Sequence, residues 1–330
     1  MCLPLLFDEK KGGWQNLGQL PFFLLHSVNK GLKKNMITAG SLFSGICSEF
    51  FALGALGPVR QVFAADMDPF ACRFIQQNVR PDILVQDDLT TVDVAALPTV
   101  DVFLAGVPCQ AFSTLGKTFG KRASTGRDLF RIPLVYADAK RPTWFVLENV
   151  PSFRSGPEFQ ALVETLRRIY PYVQSAVLDA TAFGSIQRRK RLFVVASTRA
   201  FALPAGTVHP PPPLSSVLDP PGEGLPFVSE KGLAYLQRRQ KWGVKVYDRG
   251  ATAFVGTLPR AYGHQITWKH IVRESDGRLR SLTPEEGFRI QSFDPDSLDL
   301  TGLSRRQRFY LAGNAIDRRL LTGIFSALPL

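Results

Sequence analysis

Cysteine and histidine are scarce in this chain of 330 residues, with four of each. No two cysteines stand at Cys-x-x-Cys spacing, and His264 and His270 are the only close histidine pair. That argues against a zinc knuckle, a thioredoxin-type redox pair and a structural metal. The thiols Cys2, Cys47, Cys72 and Cys109 read as reduced, which suits a cytosolic compartment. Long apolar runs are also missing. The stretch 20–28 (LPFFLLHSV) falls short of the ~18 residues that span a bilayer. It follows a polar rather than a basic segment, and no small-residue cleavage site comes after it, so a signal peptide is rejected as well. Acidic residues are in deficit, 28 against 40 Lys and Arg, a formal charge of +12. A surplus of that size favours polyanionic partners, nucleic acid first among them, over a merely basic surface.

Apolar residues make up 45% of the chain, enough for a packed core. The length suggests one large domain, or a large and a small one. Residues 1–35 carry little pattern. They read either as an extension ahead of a functional start at Met36 or as a helix covering the core. From residue 38 to 196, short apolar runs alternate with helical patterns. Strands are expected in TAGSLF, QVFAAD, DILVQ, DVFLAG, WFVLEN and RLFVVAS. In EFQALVETLRRIY, Phe159, Leu162, Val163, Leu166 and Ile169 recur at helical spacing. The alternation predicts an α/β domain with a largely parallel sheet, whose ligands bind beyond the carboxyl ends of the strands. The proline-rich run 209–226 breaks the pattern and marks a boundary. Residues 227–278 are rich in Arg, Lys, Tyr and Trp. Regular patterning returns at Arg280, and 305–328 reads as helical.

Several residues in this frame could carry chemistry. Phe43-Ser44-Gly45-Ile46 forms a small-residue turn after the first strand, where backbone amides can approach a ligand. Asp66 follows the second strand and Asp88 the third. Either alone could be a helix N-cap; the ordered set of turn, carboxylate and carboxylate suggests a nucleoside cofactor. Cys109 follows Pro108 at the end of a strand, and polar Gln110 and Ser113 come next. A small buried hydrophobe is the commonest fate of a free cysteine, but Lys117, Lys121, Arg122 and Arg127 supply the positive setting that favours a thiolate. Glu148 ends another apolar strand, where desolvation suits a carboxyl to acid catalysis; a helix cap or a solvated loop is the alternative. Gln187, Arg189 and Arg191 alternate and so share one strand face. That face could bind phosphate or keep a thiolate ionised, or it could belong to a solvated edge.

Taken together, these segments resemble the DNA (cytosine-5)-methyltransferase family of bacterial and phage type, over nearly all of 38–330. The carriers are the Pro-Cys-Gln segment in 106–113, Glu148-Asn149-Val150, Gln187-x-Arg189-x-Arg191, the Thr-Pro-Glu block of 280–293 and Gly-Asn-Ala-Ile at 313–316. The resemblance implies a Rossmann-like S-adenosylmethionine-dependent methyltransferase domain with a small target-recognition domain. The expected layout is an extension over 1–35, a catalytic and cofactor-binding part over 36–200, a recognition domain over 201–278 and a completing segment over 279–330. It implies S-adenosylmethionine as cofactor, with Phe43 on the adenine, Gly45 at the turn, Asp66 on the ribose, Met67 flanking the base and Asp88, next to Leu89, at its amino group. Pro108, Leu129 and Asn314 would complete that site. Three departures stand out: Cys47 where the family usually has glycine, Asp66 where it usually has glutamate, and Met67 where a larger side chain is common.

Methylation at C5 of a cytosine is what the resemblance implies as the reaction. Cys109 would add to C6 and load electron density on C5. Glu148 would serve N3 and the exocyclic amino group, and Arg189 and Arg191 would orient the ring or a phosphate. The cytosine would first swing out of a DNA duplex. Gln110, Ser113, Lys117, Gln187, Thr257, Leu258, Arg260 and Tyr262 are the expected DNA contacts, with His264 and Gln265 as further readers of base edges. The expected setting is a monomer inside a bacterial or phage-infected cell, with no membrane and with a companion restriction endonuclease. A tRNA-methylating relative, a non-catalytic DNA-binding relative and a small-molecule methyltransferase are the competing readings. The separate basic segment, the intact Cys109-Glu148-Arg189 set and the +12 charge, respectively, argue against each.

Overall fold

The computed structural model describes residues 5–8, 13–16, 36–108, 127–238, 245–259 and 270–330. It falls into two units, 1–35 and 36–330. In the first, β1 (Leu5–Asp8) and β2 (Gly13–Asn16) pair antiparallel, Leu5 opposite Asn16. The described part of that segment is therefore strand, where a covering helix was one of two expectations.

In the second unit the expected strands form: β3 (Ile37–Leu42), β4 (Val59–Ala65), β5 (Ile83–Val85), β6 (Val102–Gly106), β7 (Trp144–Asn149) and β9 (Lys190–Ser197). A seventh strand of the same sheet, β8 (Tyr172–Asp179), was not foreseen. The sheet order is β5-β4-β3-β6-β7-β9-β8. The first five strands are parallel, and β9 runs antiparallel to both neighbours. The chain winds outward from β3 through β4 to β5, then returns to β6 on the other side of β3. That reversal puts a topological switch point between β3 and β6, where an open α/β sheet has its ligand crevice.

Both faces of the sheet are covered, which is why its central strands read as continuous apolar runs rather than alternating ones. Val102, Leu104, Trp144, Val146, Phe193 and Val195 face α1 (Ser48–Gly54) and the C-terminal helix. Phe103, Ala105, Phe145, Leu147, Leu192 and Val194 face α3 (Arg131–Lys140) and α4 (Pro157–Ile169). Gly40 is required in β3: a Cβ there would sit 2.3 Å from the Phe63 ring. A third apolar cluster joins α2 (Pro69–Asn78), α6 (Pro284–Ile290) and α7 (Arg305–Asn314) to Val255, Leu258 and Val272.

After the proline-rich stretch, α5 (Glu230–Arg238) precedes a small sheet of β10 (Lys245–Asp248), β11 (His270–Arg273) and β12 (Leu279–Ser281). β10 runs parallel to β11, and β12 antiparallel to it. The stretch 305–328, expected to be helical, is helical in two pieces. Two helices stand there, α7 and α8 (Arg318–Ser326), because the backbone turns extended at Ala315 and Asp317 caps the second helix at the Leu320 amide.

Candidate active site

The turn leaving β3 is unusual backbone. Phe43 (φ 53°), Gly45 (φ 58°) and Cys47 (φ 53°) all lie in the left-handed region. For a residue with a Cβ, such as Phe43 or Cys47, that conformation costs roughly 1–2 kcal/mol. The turn is tied down from the next strand. Ser44 donates from its backbone amide and its hydroxyl to the Ala65 carbonyl, and the Asp66 carboxylate accepts from the Gly45 amide at 2.8 Å and the Asp68 amide at 2.9 Å. Burial pushes the Asp66 carboxyl above the ordinary aspartate range, while the amides of Asp68 and Gly45 pull against it.

The open side of this turn fits a nucleoside. No atom lies within 4 Å of where a Cβ on Gly45 would stand. The half-buried Phe43 ring rests on the core below β3, and the half-buried Asp66 stands at the mouth. Met67 is 68% exposed. Asp88 is exposed as well, but its carboxylate accepts from the Thr90 amide and hydroxyl, bonds that lower its pKa. Leu89 departs from expectation: its side chain is buried in the core, so only its backbone can face a ligand. Pro108 and Leu129 are half-buried, and Asn314 is the last residue of α7.

The switch point brings three segments together. A Cβ on Gly106 would lie 3.1 Å from the Phe43 carbonyl, and Gly106 pairs in register with Glu148. Buried Asn149 donates from Nδ2 to the Val107 carbonyl at 3.3 Å, fixing the end of β6. Sequence reasoning named Asn149 only as part of a motif; its tether is visible only in three dimensions. Glu148 forms an ion pair with Arg191 at 2.8 Å, both side chains largely shielded from solvent.

Cys109, Gln110, Ser113, Lys117, Arg260 and Tyr262, with His264 and Gln265, lie outside the described residues. Two of the other thiols are accounted for. Burial pushes the Cys47 thiol well above its ordinary range and the Cys72 thiol up to about 11, so neither suits thiolate chemistry at neutral pH.

The Gln187-x-Arg189-x-Arg191 face does exist, but it points inward. Arg189 is 4% exposed and donates to the carbonyls of Leu258, Gly313 and Ala315. Fully buried Gln187 donates to Gln291 Oε1 at 2.9 Å and accepts from the Leu258 amide at 2.8 Å, and Gln291 donates to the Ala312 carbonyl. The carbonyls that the end of α7 leaves without helical partners are thus met by side chains of two distant motifs. This corrects three expectations. Gln187 and Leu258 are committed to the interior rather than to DNA, because the glutamine amide is used in the fold and the leucine sits in the core. Arg189 acts as a brace, since its guanidinium is spent on main-chain oxygens. Thr257 is exposed and donates from its hydroxyl to the Arg188 carbonyl. Sequence reasoning also missed Ser185, Ser292 and Asp317. Buried Asp317 accepts from both hydroxyls, and burial raises its pKa.

In β12 of the small sheet, fully buried Arg280 donates to Glu274 at 2.5 Å and to both carboxylate oxygens of Glu286. Arg249 also pairs with Glu274, and Arg289 pairs with Asp219 at 2.6 Å. Among the described residues no cluster of three or more His, Cys, Asp or Glu could hold a metal, and no helix is long and apolar enough to cross a membrane.

Comparison with known proteins bears on the family and the fold. Residues 37–215 match the model of the C-5 cytosine-specific DNA methylase family. The Type II methyltransferase M.NlaIV of Neisseria lactamica is 30% identical over 81% of this chain and 62% of its own length. M.MspI of a Moraxella species is 29% identical over 82% and 65%. The chain thus spans somewhat under two thirds of the length of these relatives. In fold it is similar to the Dnmt2 methyltransferase of S. pombe (TM-score 0.71, 18% identity, 88% of this chain and 98% of that one). The Entamoeba histolytica methyltransferase EhMeth is as similar (TM-score 0.71, 17% identity, 89% and 98%). With more than half of the sequence matching the family model, this chain belongs to the C-5 cytosine-specific DNA methylase family.

Proposed function

We propose that the protein transfers a methyl group from S-adenosylmethionine to C5 of a cytosine flipped out of duplex DNA within a short specific site. The observation that carries this reading is the register at the switch point: the Phe43 turn, the strand end that leads to Cys109 and the end of the strand that carries Glu148 lie side by side. Phe43, Gly45, Asp66, Met67 and Asp88 would hold the nucleoside end of the cofactor, with Pro108, Leu129 and Asn314 around them. When bound, S-adenosylmethionine supplies an electrophilic methyl on a sulfonium.

The chain's own residues do the rest. The Cys109 thiolate adds to C6, breaking the ring's conjugation and moving an electron pair onto C5. Glu148, oriented by Arg191, holds the ring at N3 and the exocyclic amino group. Arg189 keeps the strand and the α7 terminus in place around that pair. Once C5 is alkylated, its proton leaves to a base, the C6–S bond breaks, and the thiolate and the aromatic ring are restored. The same reading takes the chain to be a monomer acting inside a bacterial or phage-infected cell beside a restriction endonuclease.

Bisulfite sequencing of DNA from cells expressing the protein tests the proposal. Methylcytosine at one short motif is expected, and none with Cys109→Ser. Methylation that persists in that variant, or that falls on tRNA and not on DNA, rejects the reading.

A further inference from the structure

The strand that carries Gln187, Arg189 and Arg191 inward has a second face. Arg188 and Lys190 alternate with those residues and are exposed. We infer that Arg188 and Lys190, with Lys245 beside them, form a phosphate-binding ridge that seats the backbone of the duplex next to the flipped base. The inference rests on the function proposed above.

Arg188 is held ready for such a role. Its amide donates to the Val255 carbonyl at 2.8 Å, and its carbonyl accepts from the Thr257 hydroxyl at 2.8 Å. Its guanidinium lies over the Phe254 ring, 5.2 Å from the centroid. Ordering a free arginine costs up to about 2 kcal/mol of rotamer entropy; an arginine pinned at the backbone and stacked on a ring has given up part of that already. Lys190 lies two residues further along extended chain, about 6.6 Å away. The Lys245 ammonium reaches the same patch, 3.3 Å from the position a Cβ on Gly256 would take.

None of these three cations has an ion pair among the described residues, whereas surface Arg60, Arg273 and Arg278 are each paired with a carboxylate. Exposed cations that hold no ion pair among the described residues suit phosphate oxygens, which fix position and carry no sequence information. The inward half of the motif therefore builds the fold, and the outward half is left free for the polyanion.

Anisotropy titrations of the full chain on two labelled duplexes of unrelated sequence, from 50 to 200 mM salt, test this. Each phosphate contact contributes roughly 0.9 to the slope of log affinity against log salt. Arg188→Ala with Lys190→Ala should lower the slope by about 2 and weaken both duplexes equally. The exchange Arg188→Lys with Lys190→Arg should keep the parental slope. Lys190→Ala alone, at an exposed position with no side-chain hydrogen bond among the described residues, should lower it by about 1, so the test does not depend on the double variant folding. Parental affinity and slope in the alanine variants would overturn the ridge and leave the proposed function standing. A parent chain that binds neither duplex would overturn both.

Discussion

Glu49 has no solvent exposure, although it is a carboxylic acid one residue into α1 and directly behind the Phe43 turn. One oxygen accepts from Gln61 Nε2 at 2.9 Å; among the described residues the other finds no hydrogen-bond partner, and neither does the Gln61 carbonyl oxygen. Burial pushes its pKa up, against the hydrogen bonds from Ser41 and Gln61. The folded chain therefore keeps a proton that the unfolded chain releases above about pH 4.3. The stabilising contribution is complete below that pH and declines as pH rises towards the raised folded value. Glu49→Gln, which stays neutral, should gain stability relative to the parent between pH 5 and pH 8, by up to about 1.4 kcal/mol per pH unit. Urea unfolding of both proteins across that range is the check. A gap that does not change with pH would mean that Glu49 titrates alike in both states. Nothing in the sequence marks Glu49, because SEF reads as an ordinary helix start. Cys47 was visible only as a departure, and the left-handed backbone it adopts is a dihedral that residue types alone do not reveal.

Among the elements, α6 shows what local chemistry does and does not disclose. Thr283 and Glu286 form a reciprocal capping box with Pro284 at the first position, a pattern readable in TPEE. Glu286 has a second task that is not readable, as the bidentate partner of buried Arg280, because Arg249 and Glu274, which complete the cluster, come from a stretch that reads only as basic surface. Removing one member of such a set leaves opposite charges buried without compensation, at a cost of about 3–5 kcal/mol. Arg280→Ala should lower the unfolding free energy by that amount, and a loss under 1 kcal/mol in a urea titration would show that water replaces the guanidinium. Strand β8 escaped notice for a related reason. It is an edge strand, mostly half-buried, and its sequence YVQSAVLD carries neither a clean alternation nor a continuous apolar run.

For the molecule as a whole, the α/β order and the strand ends were legible because each is a local pattern of apolar run, turn and carboxylate. The direction in which Gln187, Arg189 and Leu258 face was not. Alternation reveals that residues share a side, but only the packing of 255–258 and of α7 against that side makes it an interior. Four distant segments meet there: Gln187 bonds Leu258 and Gln291, and Gln291 bonds Ala312. If this is one cooperative hub, its members cannot be independent. Gln187→Ala and Gln291→Ala should each cost about 1–3 kcal/mol, since each strands buried polar groups. The second change should cost less once the first has been made, because part of what it breaks is already broken. A coupling of at least 0.5 kcal/mol is then expected from the double-mutant cycle. Additive losses would mean that the two amides brace their neighbourhoods separately, and that the 255–258 segment and the α7 terminus are joined by Arg189 rather than by the chain of glutamines.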